Sequence, residues 1–115
     1  MSKYKSRQTI LDGHKFDSAA EARYYSHLKL LQRAGKIRDF ILQPKYVLLD
    51  GYRHPQTGKK VQGVTYVADF LVTLPDGSQE VIDVKGVRTE AFKIKKKMFE
   101  QRYGISLKEI DSKTV

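Results

Sequence analysis

The chain has 115 residues, 40% of them hydrophobic and 30% charged, which suits one globular domain with a core and excludes a disordered chain or two ordinary domains. Its 22 Lys and Arg outnumber 13 Asp and Glu, and the formal charge of +9 points to a polyanionic partner. Cys is absent, no long apolar run occurs, and Met1 to Gln8 lacks an apolar core, so disulfides, a membrane span and a secretory leader are not expected, nucleic acid is preferred over a membrane surface, and the cytoplasm is the expected compartment.

Lys3, Lys5 and Arg7 form a basic start of the kind that is solvated or tracks a phosphate backbone. Thr9 to Phe16 contains the Asp12-Gly13 pair of a tight hairpin, which predicts a small ribbon with His14 at the surface. Ser18-Ala19-Ala20-Glu21 matches a capping box and Gly35 supplies a stop, so a helix is expected from Ala19 to Ala34. On that helix Ala20, Tyr24, Leu28 and Leu31 make one apolar stripe, His27 lies elsewhere, and Glu21 falls inside the stripe's edge. Two readings fit Glu21: it closes the cap alone, or it faces the rest of the fold as an acidic ligand.

Ile37 to Leu42 and Tyr46 to Leu49 are β-rich runs separated by Gln43-Pro44, and one bent strand or two short ones would fit. Gly51 to Gly63 is polar and reads as an exposed loop. Its Lys59 and Lys60 either touch phosphate or decorate a plain hairpin tip.

The rest of the chain is organised around Val64 to Gly86, where two β-rich runs flank Leu74-Pro75-Asp76-Gly77-Ser78 and predict a hairpin. If Leu74 pairs with Ser78, Asp69 falls opposite Asp83 with Cβ atoms roughly 5 Å apart. Asp83 and Lys85 then share a face, while Ile82 and Val84 point the other way. Like charges this close raise each other's proton affinity unless a cation intervenes, and oxygen ligands without His or Cys favour Mg²⁺ or Mn²⁺ over zinc. A plain edge hairpin with solvated Asp and Lys is the structural alternative.

Thr89 is placed to cap a second helix that reaches Tyr103 and stops at Gly104. Ala91, Phe92, Ile94, Met98, Phe99 and Tyr103 are expected on its buried half, with Lys93, Lys96 and Lys97 outward. Lys95 falls in the apolar arc, from which its ammonium can reach back toward the acids, and Arg102 shares that direction with a snorkelling stem. Arg88, Lys93, Lys95, Lys96 and Lys97, with Lys59 and Lys60, are the basic residues available to a polyanionic partner. Ile105 to Ile110 reads as a final strand and Asp111 to Val115 as a frayed tail. There is no Gly-rich phosphate loop, and no Ser-His-Asp or Cys-His constellation can be assembled.

A helix with Glu, a hairpin with Asp then D-x-K, and a basic helix resemble the PD-(D/E)XK nuclease superfamily. The runs F-D-S-A-A-E-A-R-Y-Y, L-Q-P-K-Y, Y-V-A-D-F, D-V-K-G and F-K-I-K-K-K-M-F are similar to those of small phage-encoded endonucleases related to Holliday junction resolvases, over nearly the whole chain. The resemblance implies a single α/β nuclease domain over 1–115, with a restriction-endonuclease-like core in which helices flank a central mixed β-sheet. It implies a Mg²⁺-dependent endodeoxyribonuclease, with Mn²⁺ able to substitute, that acts on branched DNA as a homodimer, in the host cytoplasm if phage-encoded. Glu21, Asp69, Asp83 and Lys85 then carry the catalysis. Metal would be held by Asp69, Asp83 and the Val84 carbonyl, with Glu21 binding directly or through water, and Lys85 would orient the attacking water or offset charge. The first motif reads Ala-Asp rather than Pro-Asp, which leaves the ligand itself intact. The alternatives are a nicking or structure-independent nuclease, and a basic DNA-binding protein that keeps the fold without cutting.

Overall fold

A computed structural model describes residues 8–115, so the basic start at Lys3, Lys5 and Arg7 lies outside the described residues. Thr9–Leu11 (β1) and His14–Phe16 (β2) pair antiparallel around Asp12 and Gly13, whose φ angles of 53° and 78° are what a two-residue Asp-Gly turn requires. Ser18 caps Ala19–Arg33 (α1), its hydroxyl accepting from the Glu21 amide at 3.1 Å. The buried face of α1 is Ala20, Ala22, Tyr25 and Leu28, while Tyr24 and Leu31 are only partly buried. The face is rotated from the expected stripe because the β1–β2 ribbon folds against it. Tyr25 packs on Phe16 at 5.1 Å between ring centroids and donates to Asp12.

Asp39–Leu42 (β3) and Lys45–Leu49 (β4) are two strands, divided at Gln43 with φ 50°. The stretch expected as a loop contains a ribbon, Tyr52–Arg53 (β5) with Lys60–Val61 (β6), which leads back into Val64–Val67 (β7). β4 and β7 pair with each other, so β4 to β7 form an arm inserted between two strands of the central sheet. At its bend only glycine fits: a Cβ on Gly63 would stand 2.3 Å from the Leu49 carbonyl oxygen.

Phe70–Thr73 (β8) and Gln79–Lys85 (β9) form the expected hairpin, with Phe70 opposite Ile82 and the Leu74 amide donating to the Ser78 carbonyl at 2.8 Å. The first run is shorter than expected. Val64 to Thr73 does not form one strand: it breaks at Ala68 and Asp69, where β7 leaves to pair with β4. Thr89 caps Glu90–Tyr103 (α2) and Gly104, at φ 67°, ends it as predicted. Leu107–Asp111 (β10) then pairs parallel to β9.

The central sheet runs β10-β9-β8-β3, one parallel pair followed by two antiparallel ones. Phe70, Val72, Ile82 and Val84 turn one face to α1. Val81 and Leu107 on the other face meet Phe92 and Phe99 of α2 and Leu48, Tyr66 and Ala68 of the arm's root. This is the α/β domain expected, a mixed sheet flanked by helices. The chain end is not frayed, because the Ser112 amide donates to the Lys85 carbonyl at 3.1 Å and Arg23 Nε donates to the Val115 carbonyl at 2.9 Å. Among the described residues no helix is long and apolar enough to cross a membrane.

Candidate active site

Extending the β8–β9 register by one residue places Asp69 across from Asp83, as the turn chemistry predicts. The two carboxylates do not simply face each other, however. Each is taken by the partner strand's backbone: the Asp69 amide donates to Asp83 Oδ1 at 2.8 Å, and the Val84 amide donates to Asp69 Oδ2 at 2.7 Å. This exchange is what ends β8, since Asp69 turns its amide to Asp83 and to the Ile82 carbonyl at 3.1 Å.

Asp83 is 1% exposed. A carboxylate so placed needs donors in place of water, and the Tyr66 hydroxyl donates to its Oδ2. Lys85 Nζ stands 3.8 Å from the same oxygen and 4.4 Å from the centre of the Phe92 ring. Burial still pushes the Asp83 carboxyl up to about 6, against the opposing pull of Lys85 and the Asp69 amide.

Glu21, in the first turn of α1, is pushed up to about 7 by burial and then by the charges of Asp69 and Asp17, with Lys85 pulling the other way. Burial also raises Asp69, opposed by the Val84 amide and Lys85. Glu21, Asp69 and Lys85 therefore share one electrostatic neighbourhood, and Lys85 ties Asp83 to it. Glu21 lines an open cleft of about 600 Å³ together with Arg23, Val84, Gly86 and Thr89. Of the two readings of Glu21, the one that turns it toward the hairpin agrees with this placement.

The donor chemistry fits a hard divalent cation: carboxylates and a carbonyl, with no thiolate or imidazole. The amide and carbonyl of a strand residue point the same way, so the Val84 carbonyl follows its amide toward Asp69 and past the end of β8. The set is not a closed cage. Among the described residues no three His, Cys, Asp or Glu stand close enough to hold an ion, and Asp83 has a hydrogen-bond donor on each oxygen. The expected pair of carboxylates with a gap between them is replaced by the mutual amide clasp.

The basic residues divide into engaged and available ones. Lys59 and Lys60 are exposed on the β5–β6 ribbon, and Lys97 is exposed on α2. Lys93 pairs with Glu90 at 3.2 Å. Lys95, half-buried, lines a second open cleft, of about 410 Å³, with Tyr66, Lys85 and Phe92. Arg88 and Lys96, both expected to contact DNA freely, instead hold Glu109 of β10, Arg88 through Nε at 2.7 Å and Lys96 at 2.7 Å. Lys96 does not point outward, because at 3.6 residues per turn it lies only about 40° from the buried Phe92. Ile94 lies about 160° from Phe92 and is exposed, as is Ala91, so the buried face of α2 is narrower than expected. Arg102 holds the Leu48 carbonyl at 3.2 Å and Asp50 at 3.5 Å.

Sequence reasoning missed Tyr66, Phe92 and Glu109 as neighbours of the acids. Only the Y-V-A-D-F run hints at Tyr66, and its alternation is lost at the strand break. One family model, described as Protein of unknown function (DUF1064), matches residues 1–112. No curated protein and no solved structure matches the chain.

Proposed function

We propose that this chain, which belongs to the DUF1064 family, is a metal-dependent endodeoxyribonuclease that acts on branched DNA. The observation that carries the reading is the buried Asp83 paired with the half-buried Lys85 on β9, bonded to Asp69 just before β8, with Glu21 of α1 at an open cleft and near enough to feel the charges of Asp69 and Lys85, in a chain of charge +9. Carboxyls shifted by burial beside a specific charge partner mark candidate functional sites, and a cation held there stabilises charge developing on a phosphate. Glu21, Asp69, Asp83 and the Val84 carbonyl are the groups that would hold Mg²⁺, or Mn²⁺ in its place. The ion would supply charge on the scissile phosphate and a water of lowered pKa.

The chain's own groups do the rest. Lys85, kept near Asp83 by that carboxylate and by the Phe92 ring, presents its ammonium to charge developing on the phosphate. Glu21, whose carboxyl is raised by burial and by the charge of Asp69 in the metal-free chain, is the third acid, which would hold the ion directly or through a water. Lys59, Lys60, Lys93, Lys95 and Lys97 hold the DNA backbone without reading bases. Arg88 and Lys96 reach phosphate only by exchanging Glu109 for it, so they contribute less. Paired incision of a junction needs two sites, and the chain carries one Glu21–Asp69–Asp83–Lys85 set, so a two-fold homodimer supplies the second.

The amide clasp on Asp83 favours a second reading, a basic DNA-binding protein that does not cut. A supercoiled plasmid bearing a cruciform separates the two. The nuclease reading expects Mg²⁺-dependent linearisation that EDTA stops, while binding without cutting in either Mg²⁺ or Mn²⁺ supports the other.

A further inference from the structure

Tyr66 is 4% exposed and lies on β7, outside the hairpin that carries Asp69, Asp83 and Lys85. It reaches Asp83 because the strand break lets β7 cross to the face where α2 packs. Its ring is fixed from several sides: Phe99 stands at 5.8 Å and Phe92 at 6.4 Å between centroids, and Tyr46 is its partner across β4. With the ring held, the hydroxyl has a set direction, and it donates to Asp83 Oδ2. The Asp69 amide takes Oδ1. The terminal torsion of an aspartate is broad, so these two donors decide which way the carboxylate plane faces.

We propose that Tyr66 is a positioning residue for the site, fixing the orientation of the Asp83 carboxylate from outside the hairpin. The inference rests on the reading of Asp83 as a metal ligand. A tyrosine that served packing alone could give its hydroxyl to any backbone carbonyl, as the more exposed Tyr103 does to Val47 at 2.9 Å. Tyr66 gives it to a carboxylate that is 1% exposed. Each carboxylate oxygen has two lone-pair directions, so Asp83 can keep the Tyr66 hydroxyl and still offer a lone pair of fixed direction to a cation. Phe92 plays the matching part for Lys85, lying under its ammonium at 4.4 Å. Hydrogen bonds from such outer partners orient metal-binding side chains, and their removal typically costs about 10–100-fold in metal affinity or activity.

The test compares the intact chain with Tyr66→Phe, and with Tyr103→Phe as a control that loses a hydroxyl bonded only to backbone. Mn²⁺ affinity is read by calorimetry, and kcat and KM on a four-way junction are read at saturating Mg²⁺. Tyr66→Phe is expected to weaken Mn²⁺ binding or lower kcat by about 10–100-fold, with KM near that of the intact chain and a lowered melting temperature, because the buried Asp83 loses one donor; Tyr103→Phe is expected to change neither Mn²⁺ binding nor kcat. Wild-type Mn²⁺ affinity and kcat in Tyr66→Phe overturn the proposal. If the intact chain cuts no DNA yet binds Mn²⁺, the nuclease reading fails and calorimetry alone decides on Tyr66. If it neither cuts nor binds Mn²⁺, both fall. Should Tyr66→Phe unfold, the intact chain still answers by NMR: Mg²⁺ titration is expected to shift the ring resonances of Tyr66 and leave those of Tyr103 in place, and an unmoved Tyr66 overturns the proposal.

Discussion

Asp83 is buried among donors that cannot all be kept if its side chain is removed. In Asp83→Ala the Tyr66 hydroxyl and the Asp69 amide lose their acceptor, at about 1–3 kcal/mol for each buried group left unpaired. Relief of a desolvated carboxylate offsets part of that. Asp83→Asn retains an acceptor and nearly the same shape, so it is expected to fold close to wild type while losing metal-dependent cutting by about 10²-fold or more. Thermal melts of the two variants beside their cleavage rates check this; a stable, fully active Asp83→Asn removes β9 from the site. The raised carboxyls also set a pH dependence. Glu21 moves from 4.5 to about 7 and Asp83 from 3.8 to about 6, so between those values the folded protein binds more protons than the unfolded chain. These two groups make the stability of the metal-free protein fall as pH rises from about 4 to about 7, opposed at the lower end by Asp12, Asp76 and Glu109, whose carboxyls are held below their usual range. Urea unfolding in EDTA across that range reads it, and Glu21→Gln should flatten the upper part. Stability that rises through this window contradicts the burial of these carboxyls.

At the scale of elements, what the sequence made legible was local. Asp12-Gly13 and Leu74 to Ser78 set hairpin registers through turn chemistry, and Ser18, Gly35, Thr89 and Gly104 mark the helix ends through caps and stops. Asp69 was placed opposite Asp83 by counting from a turn. The break at Asp69 was not legible, because Val64 to Thr73 is evenly β-rich and the interruption comes from an amide exchange with a strand fourteen residues on. The pairing of Lys96 and Arg88 with Glu109 is not legible for a related reason: Glu109 sits on β10, far along the chain. The arm's short strands were hidden by polar composition. Its bend yields a prediction, since a Cβ on Gly63 would clash with backbone at 2.3 Å and 2.9 Å. Gly63→Ala is expected to displace the ribbon and weaken DNA binding together with thermal stability, whereas Gly58→Ala, in open space but at φ 71°, should cost stability alone. Binding isotherms beside melts separate the two, and unchanged affinity in a displaced Gly63→Ala ribbon would detach the arm from the DNA surface.

For the whole molecule, a charge of +9 with exposed Lys59, Lys60 and Lys97 predicts binding that weakens steeply with salt and shows little base preference. Each phosphate contact adds about −0.9 to the slope of log affinity against log salt, so replacing Lys59 and Lys60 together should flatten it by about 2. Replacing Arg88 and Lys96 should change it less, because Glu109 already neutralises them in part. A slope unaffected by Lys59 and Lys60 would leave the ribbon as a plain hairpin tip. Light scattering with and without junction DNA tests the two-fold assembly. The central claim, that Glu21, Asp69, Asp83 and Lys85 make one metal-dependent cutting centre for branched DNA, is tested most directly by cleavage of a matched panel of four-way junction, flap, duplex and single-stranded DNA in Mg²⁺, by the intact chain and by Asp83→Asn. The account predicts incision of the branched substrates first, stopped by EDTA and absent in Asp83→Asn. No incision of any substrate in Mg²⁺ or Mn²⁺, or equal incision by Asp83→Asn, would contradict it.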